Sequence, residues 1–201
     1  MPKEPVKLYI TSDEIHNLVH STTDQLSSFD PEVIIAIGSG GFVIGRYMKE
    51  ALNIPLYTVS IKMYSETDQL EQTPKILQWL DERGQNQIKG KRVLIVDEID
   101  DTRSTLAFCV NEMLKEDISG VAVYVLHNKL APKKAEIQES VPYFFGIELP
   151  NVWIVYPWES KDIKQHNKLA YTDNKQLVEQ FELNTLEKLL DTCDWLKGGT
   201  L

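Results

Sequence analysis

The sequence predicts an α/β fold, and three observations carry that expectation. Runs without polar interruption, "VIIAIG" at 33–38, "VLIV" at 93–96 and "VAVYVL" at 121–126, have the makeup of strands covered on both faces. The first runs into the glycine turn "GSGG" and then into helical spacing, and the second is also followed by helical spacing, so strand, turn and helix recur in α/β order. The second run also ends in Asp97, Glu98, Asp100 and Asp101, followed by Thr102, Ser104 and Thr105, a polar exit from a buried strand.

The elements follow in order. "TSDE" opens a helix, with Thr11 as cap and Glu14 at capping-box spacing, and Ile15, Leu18, Val19 and Leu26 give it an apolar face. After the strand at 33–38, "FVIGRYMKEAL" fits a helix with Phe42, Val43 and Tyr47 available for packing. "IPLYTVSIKMY", 54–64, reads as a strand, "SETDQLEQTP" as a mobile connector, and "KILQWL", 75–80, permits either helix or strand. "KRVLIVDEIDD" is strand-like. "STLAFCVNEMLKED" places Leu106, Cys109, Val110, Met113 and Leu114 at helical spacing to cover the sheet. "YFFGIELPNVWIVYPW" contributes further β-like pieces, and the last 40 or so residues carry two helical patterns that cover the core or meet another subunit.

Composition narrows the class. The chain has 201 residues, 42% hydrophobic and 25% charged, as expected of one folded domain rather than a disordered chain. A net charge of −9 argues against a general nucleic-acid face but leaves room for a local anion pocket. Cys109 and Cys193 are too few for a disulfide framework, and Cys109 reads as a packed thiol. "MPKEPVKLYI" lacks the apolar core of a signal peptide, and no run approaches the roughly 20 apolar residues of a membrane span. The expectation is a soluble protein in a reducing compartment.

The strand exit joins two opposite chemistries. Four carboxylates suit water, a cation or sugar hydroxyls better than a core, while the hydroxyl-rich turn and the nascent helix suit a phosphate. An acidic solvated loop with ordinary helix caps has the same composition, and both readings stand at this level.

The stretch "VDEIDDTRSTL" resembles the phosphoribosyl pyrophosphate signature of type I phosphoribosyltransferases, above all the fungal hypoxanthine and xanthine enzymes, over residues about 8 to 170. The resemblance implies the type I phosphoribosyltransferase fold, a central parallel sheet flanked by helices with a small hood. It makes residues 1–201 one domain, the hood mainly from 127–158 with N-terminal residues, and 160–201 a helical extension. It implies a pentosyl transfer in purine salvage: ribose 5-phosphate passes from phosphoribosyl pyrophosphate to N9 of a 6-oxopurine, with Mg²⁺, in a cytoplasmic homodimer. On this chain Asp97 and Glu98 match the pair at the ribose hydroxyls and Mg²⁺. Asp101 matches the general acid/base near purine N7. Asp101, Thr102, Arg103, Ser104 and Thr105 match the 5′-phosphate loop. Most of that family has glycine where Arg103 stands.

Other segments extend the match. "GSGG" alone is a turn and lacks the lysine of a phosphate-binding P-loop. By resemblance Ser39, Gly40 and Gly41 offer amides to pyrophosphate after a cis Gly38–Ser39 peptide, although many relatives carry Lys or Arg in place of Ser39. Tyr64 matches a tyrosine that closes over pyrophosphate. Lys129, otherwise a loop lysine, matches the donor to purine O6. Trp153, otherwise core or interface, matches the stacking aromatic, with Ile154 reading the ring edge through its backbone. Glu159 matches an acid at a second Mg²⁺. His16, His20, His127 and His166 complete no metal motif, and no G-x-S-x-G elbow is present. Against the transferase stands a non-catalytic sensor of phosphoribosyl pyrophosphate or nucleotide.

Overall fold

The computed structural model describes residues 6–65 and 72–180, with side chains described for 6–63 and 74–174. In chain order the elements are β1 (Lys7–Tyr9), α1 (Ser12–Thr22), β2 (Val33–Gly38), α2 (Gly41–Leu52), β3 (Leu56–Ser65), β4 (Gln72–Gln78), α3 (Glu82–Ile88), β5 (Arg92–Asp100), α4 (Ser104–Met113), β6 (Gly120–Lys129), β7 (Tyr143–Leu149), β8 (Trp153–Val155) and α5 (Ile163–Gln180). The capping box at α1 forms: Thr11 Oγ1 accepts from the Glu14 amide and the Glu14 carboxylate accepts from the Thr11 amide.

Six strands form one sheet in the order β4-β3-β2-β5-β6-β7. Neighbours are parallel except β3 and β4, so the expected parallel sheet carries an antiparallel edge. The period-two alternation of β-structure explains why the inner strands are apolar at every position. Ile34, Leu94, Val96, Ala122 and Tyr124 face one core with Ile15, Val19, Ile44 and Met48. Val33, Ile35, Val93, Ile95, Val121 and Val123 face the other with Leu106, Cys109, Val110 and Met113. Cys109 is a fully buried thiol whose pKa burial pushes up, and Cys193 lies outside the described residues.

Several local expectations change. The segment 75–78, open to either helix or strand, is part of β4, and so are residues 72–74 of the presumed connector; 66–71 lie outside the described residues. Pro74 sits opposite Met63 on an edge strand, where the missing N–H removes no central ladder bond. In α2 the buried side chains are Ile44 and Met48, whereas Phe42, Val43 and Tyr47 are only half-buried. Gly41 and Gly45 share the buried stripe, and as glycines they carry no apolar signal in the sequence. α4 ends at Met113 and leaves Leu114 41% exposed rather than packed.

A separate two-stranded parallel sheet pairs β1 with β8, Lys7 opposite Trp153. Of the stretch 127–158, residues 127–129 and 143–149 belong to the main sheet and 153–155 to this small one. Helix α5 closes the outer edge of β1. The Asn174 side chain accepts from the Tyr9 amide at 3.0 Å and donates to the Tyr9 carbonyl at 2.7 Å, and His166 Nε2 bonds the Ile10 carbonyl at 2.8 Å. Among the described residues no helix is long and apolar enough to cross a membrane.

Candidate active site

The chain runs from β2 outward to β3, then returns to the other side of β2 to form β5. This reversal is a topological switch point, where the loops after two adjacent parallel strands diverge and leave a crevice. A cleft of about 220 Å³ lies there, lined by Ile37, Gly38, Ser39, Ile61 and residues 97–106. A roomier hollow of about 510 Å³ includes Leu56, Tyr57 and Thr58 at the start of β3, so it opens at the opposite, amino end of the strands. The Gly38–Ser39 peptide is cis.

Close approach explains the glycines. A Cβ on Gly40 would stand 2.1 Å from the Glu98 carboxyl carbon, and one on Gly41 would stand 2.8 Å from the Val96 carbonyl oxygen. Any side chain here would displace the acidic pair from the turn. Asp97 is nearly buried; burial, and then the adjacent Glu98 charge, push its pKa well above the usual carboxylate range. Glu98 Oε2 is buried with no hydrogen-bond partner. Two adjoining carboxylates with an orphaned oxygen fit a donor from outside the chain, a sugar hydroxyl or a cation. Among the described residues no group of three His, Cys, Asp or Glu is arranged for a metal. Mg²⁺ fits the pair nonetheless, since it commonly uses one or two protein carboxylates and completes its shell with water and substrate phosphates. Glu159 does not line the cleft: its carboxylate accepts from the Tyr156 amide at 3.2 Å and caps the turn Pro157–Glu159.

The expectation that all four carboxylates avoid burial fails at Asp97, 8% exposed, and completely at Asp100, 0% exposed. Asp100 Oδ2 accepts from Arg103 Nε at 2.9 Å and from the Tyr143 hydroxyl at 2.7 Å, while Lys133 Nζ stands 3.3 Å from Oδ1. Oδ1 makes no well-aligned hydrogen bond, so the Lys133 contact is chiefly electrostatic. Two cations and a hydroxyl make the burial tolerable. The Arg103 guanidinium holds Asp100 and lies 4.8 Å over the Tyr143 ring, with 24% of the side chain exposed at the cleft. Burial works against its charge, but the Asp100 bond outweighs this and the guanidinium pKa rises. Arg103 has φ 67°, the left-handed region that favours glycine, and it directly precedes α4. Thr102, Ser104 and Thr105 line the cleft at the N-terminus of that helix, where free amides and the dipole suit an anion.

Lys129 ends β6 and, although it does not itself line the cleft, pairs across 28 positions with Asp101, which does, Nζ to Oδ1 at 3.0 Å. The Asp101 side chain is 51% exposed. Trp153 on β8 is 59% exposed, while Ile154 turns into the core and leaves its backbone in the small sheet. The side chain of Tyr64 lies outside the described residues. Sequence reasoning missed a link between the two sheets. The Tyr156 hydroxyl donates to the Glu98 carbonyl at 3.1 Å and lies 2.8 Å from His127 Nδ1. With the hydroxyl proton committed to Glu98, His127 donates from Nδ1–H. Burial lowers the His127 pKa to about 3, so the ring is neutral.

This is an open α/β sheet with a polar cleft at its switch point, and the comparisons with known proteins make the class definite. Residues 11–159 match the phosphoribosyl transferase domain family. The chain is 36% identical to the hypoxanthine-guanine phosphoribosyltransferase of Schizosaccharomyces pombe, over 82% of this chain and 94% of that one. It is 32% identical to xanthine phosphoribosyltransferase 1 of Saccharomyces cerevisiae, over 83% and 96%. Among solved structures, a hypothetical protein from Neisseria gonorrhoeae with bound ppGpp is 38% identical over 84% of this chain and 97% of that one, with a TM-score of 0.76. The chain belongs to the type I phosphoribosyltransferases, an enzyme family, and is related to the fungal members.

Proposed function

We infer that the protein transfers ribose 5-phosphate from phosphoribosyl pyrophosphate to N9 of a 6-oxopurine (xanthine, hypoxanthine or guanine), giving the nucleoside 5′-monophosphate and pyrophosphate. The observation that carries this reading is the Lys129–Asp101 pair at 3.0 Å beside the hydroxyl-rich turn of the cleft. Together they offer a cation and a carboxylate to one edge of a purine and an anion seat to the phosphate. Lys129 is a donor only, so it suits a carbonyl at position 6 and not an exocyclic amine. The names of the fungal relatives point the same way.

In this mechanism Thr102, Ser104, Thr105 and the first amides of α4 hold the 5′-phosphate. Asp97 and Glu98 orient the ribose hydroxyls, and the amides of Ser39, Gly40 and Gly41 face the pyrophosphate. Mg²⁺, held by Glu98 and Asp97 with substrate oxygens, would supply positive charge at the leaving pyrophosphate. Fixing both ends of the sugar aims C1′ at N9 and lowers the entropic cost of encounter. Asp101 holds the N7 edge and takes up proton density as the N9–C1′ bond forms, while Trp153 stacks on the ring. Exclusion of water protects the loosened ribosyl centre from hydrolysis. The active protein in this reading is a cytoplasmic homodimer.

Incubation with phosphoribosyl pyrophosphate, Mg²⁺ and each radiolabelled base tests the reading. Formation of a labelled 5′-monophosphate with pyrophosphate supports transfer; tight binding without product from any of the three bases sinks it. That negative result would favour a nucleotide-sensing regulator, a reading suggested by the ppGpp found in the Neisseria protein.

A further inference from the structure

We propose that Lys133 is a positioning residue that sets the spacing between Asp101 and Lys129; the proposal rests on the reading that places those two side chains on the purine edge. An ammonium has three N–H donors. Those of Lys133 reach three backbone carbonyls: Asp100 at 2.7 Å, Asp101 at 3.1 Å and Lys129 at 2.9 Å. The lysine thus ties together the main chain of both residues of the Asp101–Lys129 pair. It does so from the loop after β6, four positions beyond Lys129. The Lys134 amide reinforces the tie by donating to the Thr102 carbonyl at 2.9 Å.

The surroundings favour a clamp over a surface lysine. The Lys133 side chain is 19% exposed, and the buried Asp100 carboxylate lies 3.3 Å from its Nζ. Burial lowers its pKa and the Asp100 charge opposes that shift, so the ammonium is worth keeping only where its bonds are specific. β5 and β6 are adjacent strands whose register ends with Asp100 opposite Asn128. Beyond that rung no ladder bond fixes Asp101 against Lys129, and Lys133 takes over where the sheet stops. A small misplacement of two groups that must grip one ring edge together is costly to the rate.

Lys133→Met, Lys133→Arg, Asp101→Asn and the Lys133→Met/Asp101→Asn double variant test this. Turnover with the preferred base is measured alongside amide hydrogen exchange in the free proteins. Lys133→Met is expected to lower kcat/KM on the order of 10²-fold. In the double variant the loss stays within about threefold of Asp101→Asn alone, because a displaced carboxylate has little left to lose. Exchange quickens at 100–105 and 129–134 and not in β2 or α2. Lys133→Arg, which keeps charge and donors, recovers most of both. Additive losses, unchanged exchange at 100–105, or uniform acceleration through the sheet overturns the proposal. If Lys133→Met gives no cooperative melt, Lys133→Gln is read the same way. Failure of both to fold makes Lys133 a support of the whole domain and also overturns it. If the wild type makes no nucleotide, the transferase reading fails, while the exchange pattern still decides whether Lys133 fixes the two strand ends.

Discussion

At the exit of β5 the candidate side chains stand on a sealed foundation, whereas at β8 Trp153 stands nearly free. Asp100 is closed in by Arg103, Lys133 and Tyr143, and the turn above it opens directly into α4. Trp153 leaves 59% of its surface in solvent and depends on one short ladder with β1 and on the Tyr156 tether to Glu98. The difference separates two tasks. A sugar phosphate carries fixed charge and benefits from donors arranged before it arrives, while a planar base can be met by an open aromatic surface that closes with it. In the proposed reading the sugar-phosphate side is built as scaffold and the base side as approach.

The sharpest way to test that division is at the residue shared by both halves. Asp101→Asn is expected to lower turnover about 10²–10⁴-fold, the usual worth of a positioned acid or base, with a much smaller change in phosphoribosyl pyrophosphate affinity. Rapid-quench turnover and equilibrium binding report the two quantities, and equal losses in both would reject a specific proton-transfer role. One position earlier the outcome reverses. Asp100→Ala leaves Arg103 and Lys133 without their shared carboxylate and is expected to cost about 3–5 kcal/mol of stability in urea unfolding. A cost under about 1 kcal/mol would place the cluster with ordinary surface ion pairs and remove the foundation from the comparison.

How legible each half was follows from where its partners lie in the chain. The motif from Asp97 to Thr105 is contiguous, so its hydroxyl and carboxylate pattern could be read directly, and the cleft gathers those residues with Ser39. The burial of Asp100 could not be read, since two of its three partners, Lys133 and Tyr143, stand 33 and 43 positions away. Arg103 shows the same limit: its chemistry suggested a phosphate, and only the fold shows that a buried carboxylate claims it first. In α2 the sequence showed the flanks of the buried face, with Tyr47 packed on the core, but not its centre, where Gly41 and Gly45 mark the sheet side by lacking side chains. β4 escaped a firm assignment because its pairing with β3 decides its conformation, and local propensity does not carry that. The strands themselves were legible because burial on both faces leaves no polar residue to blur them.

The base half gives a smaller effect with the opposite signature. Trp153→Ala is expected to raise KM for the purine through the loss of about 1–3 kcal/mol of stacking. The melting free energy should move by less than about 0.5 kcal/mol, because an exposed indole contributes little to the core. A stability loss of several kcal/mol would mean that Trp153 supports the small sheet instead of receiving a base.

The last effect appears only on acidification and concerns the tether that joins the halves. His127 is neutral in the folded protein, its pKa lowered by burial to about 3 against 6.5 for a free histidine. Between those values the unfolded chain binds a proton that the folded chain refuses, so acid favours unfolding. Stability associated with this ring is fully present above about pH 6.5 and falls by up to about 1.4 kcal/mol per pH unit as the pH drops toward the folded value. His127→Gln can still donate an amide N–H toward the Tyr156 hydroxyl and has no proton to gain. Its urea midpoint should therefore fall less steeply than that of the wild type between pH 6.5 and 4.5. Parallel acid limbs would assign the pH dependence to carboxylates elsewhere and leave the Tyr156 bridge as a hydrogen bond without a titrating partner.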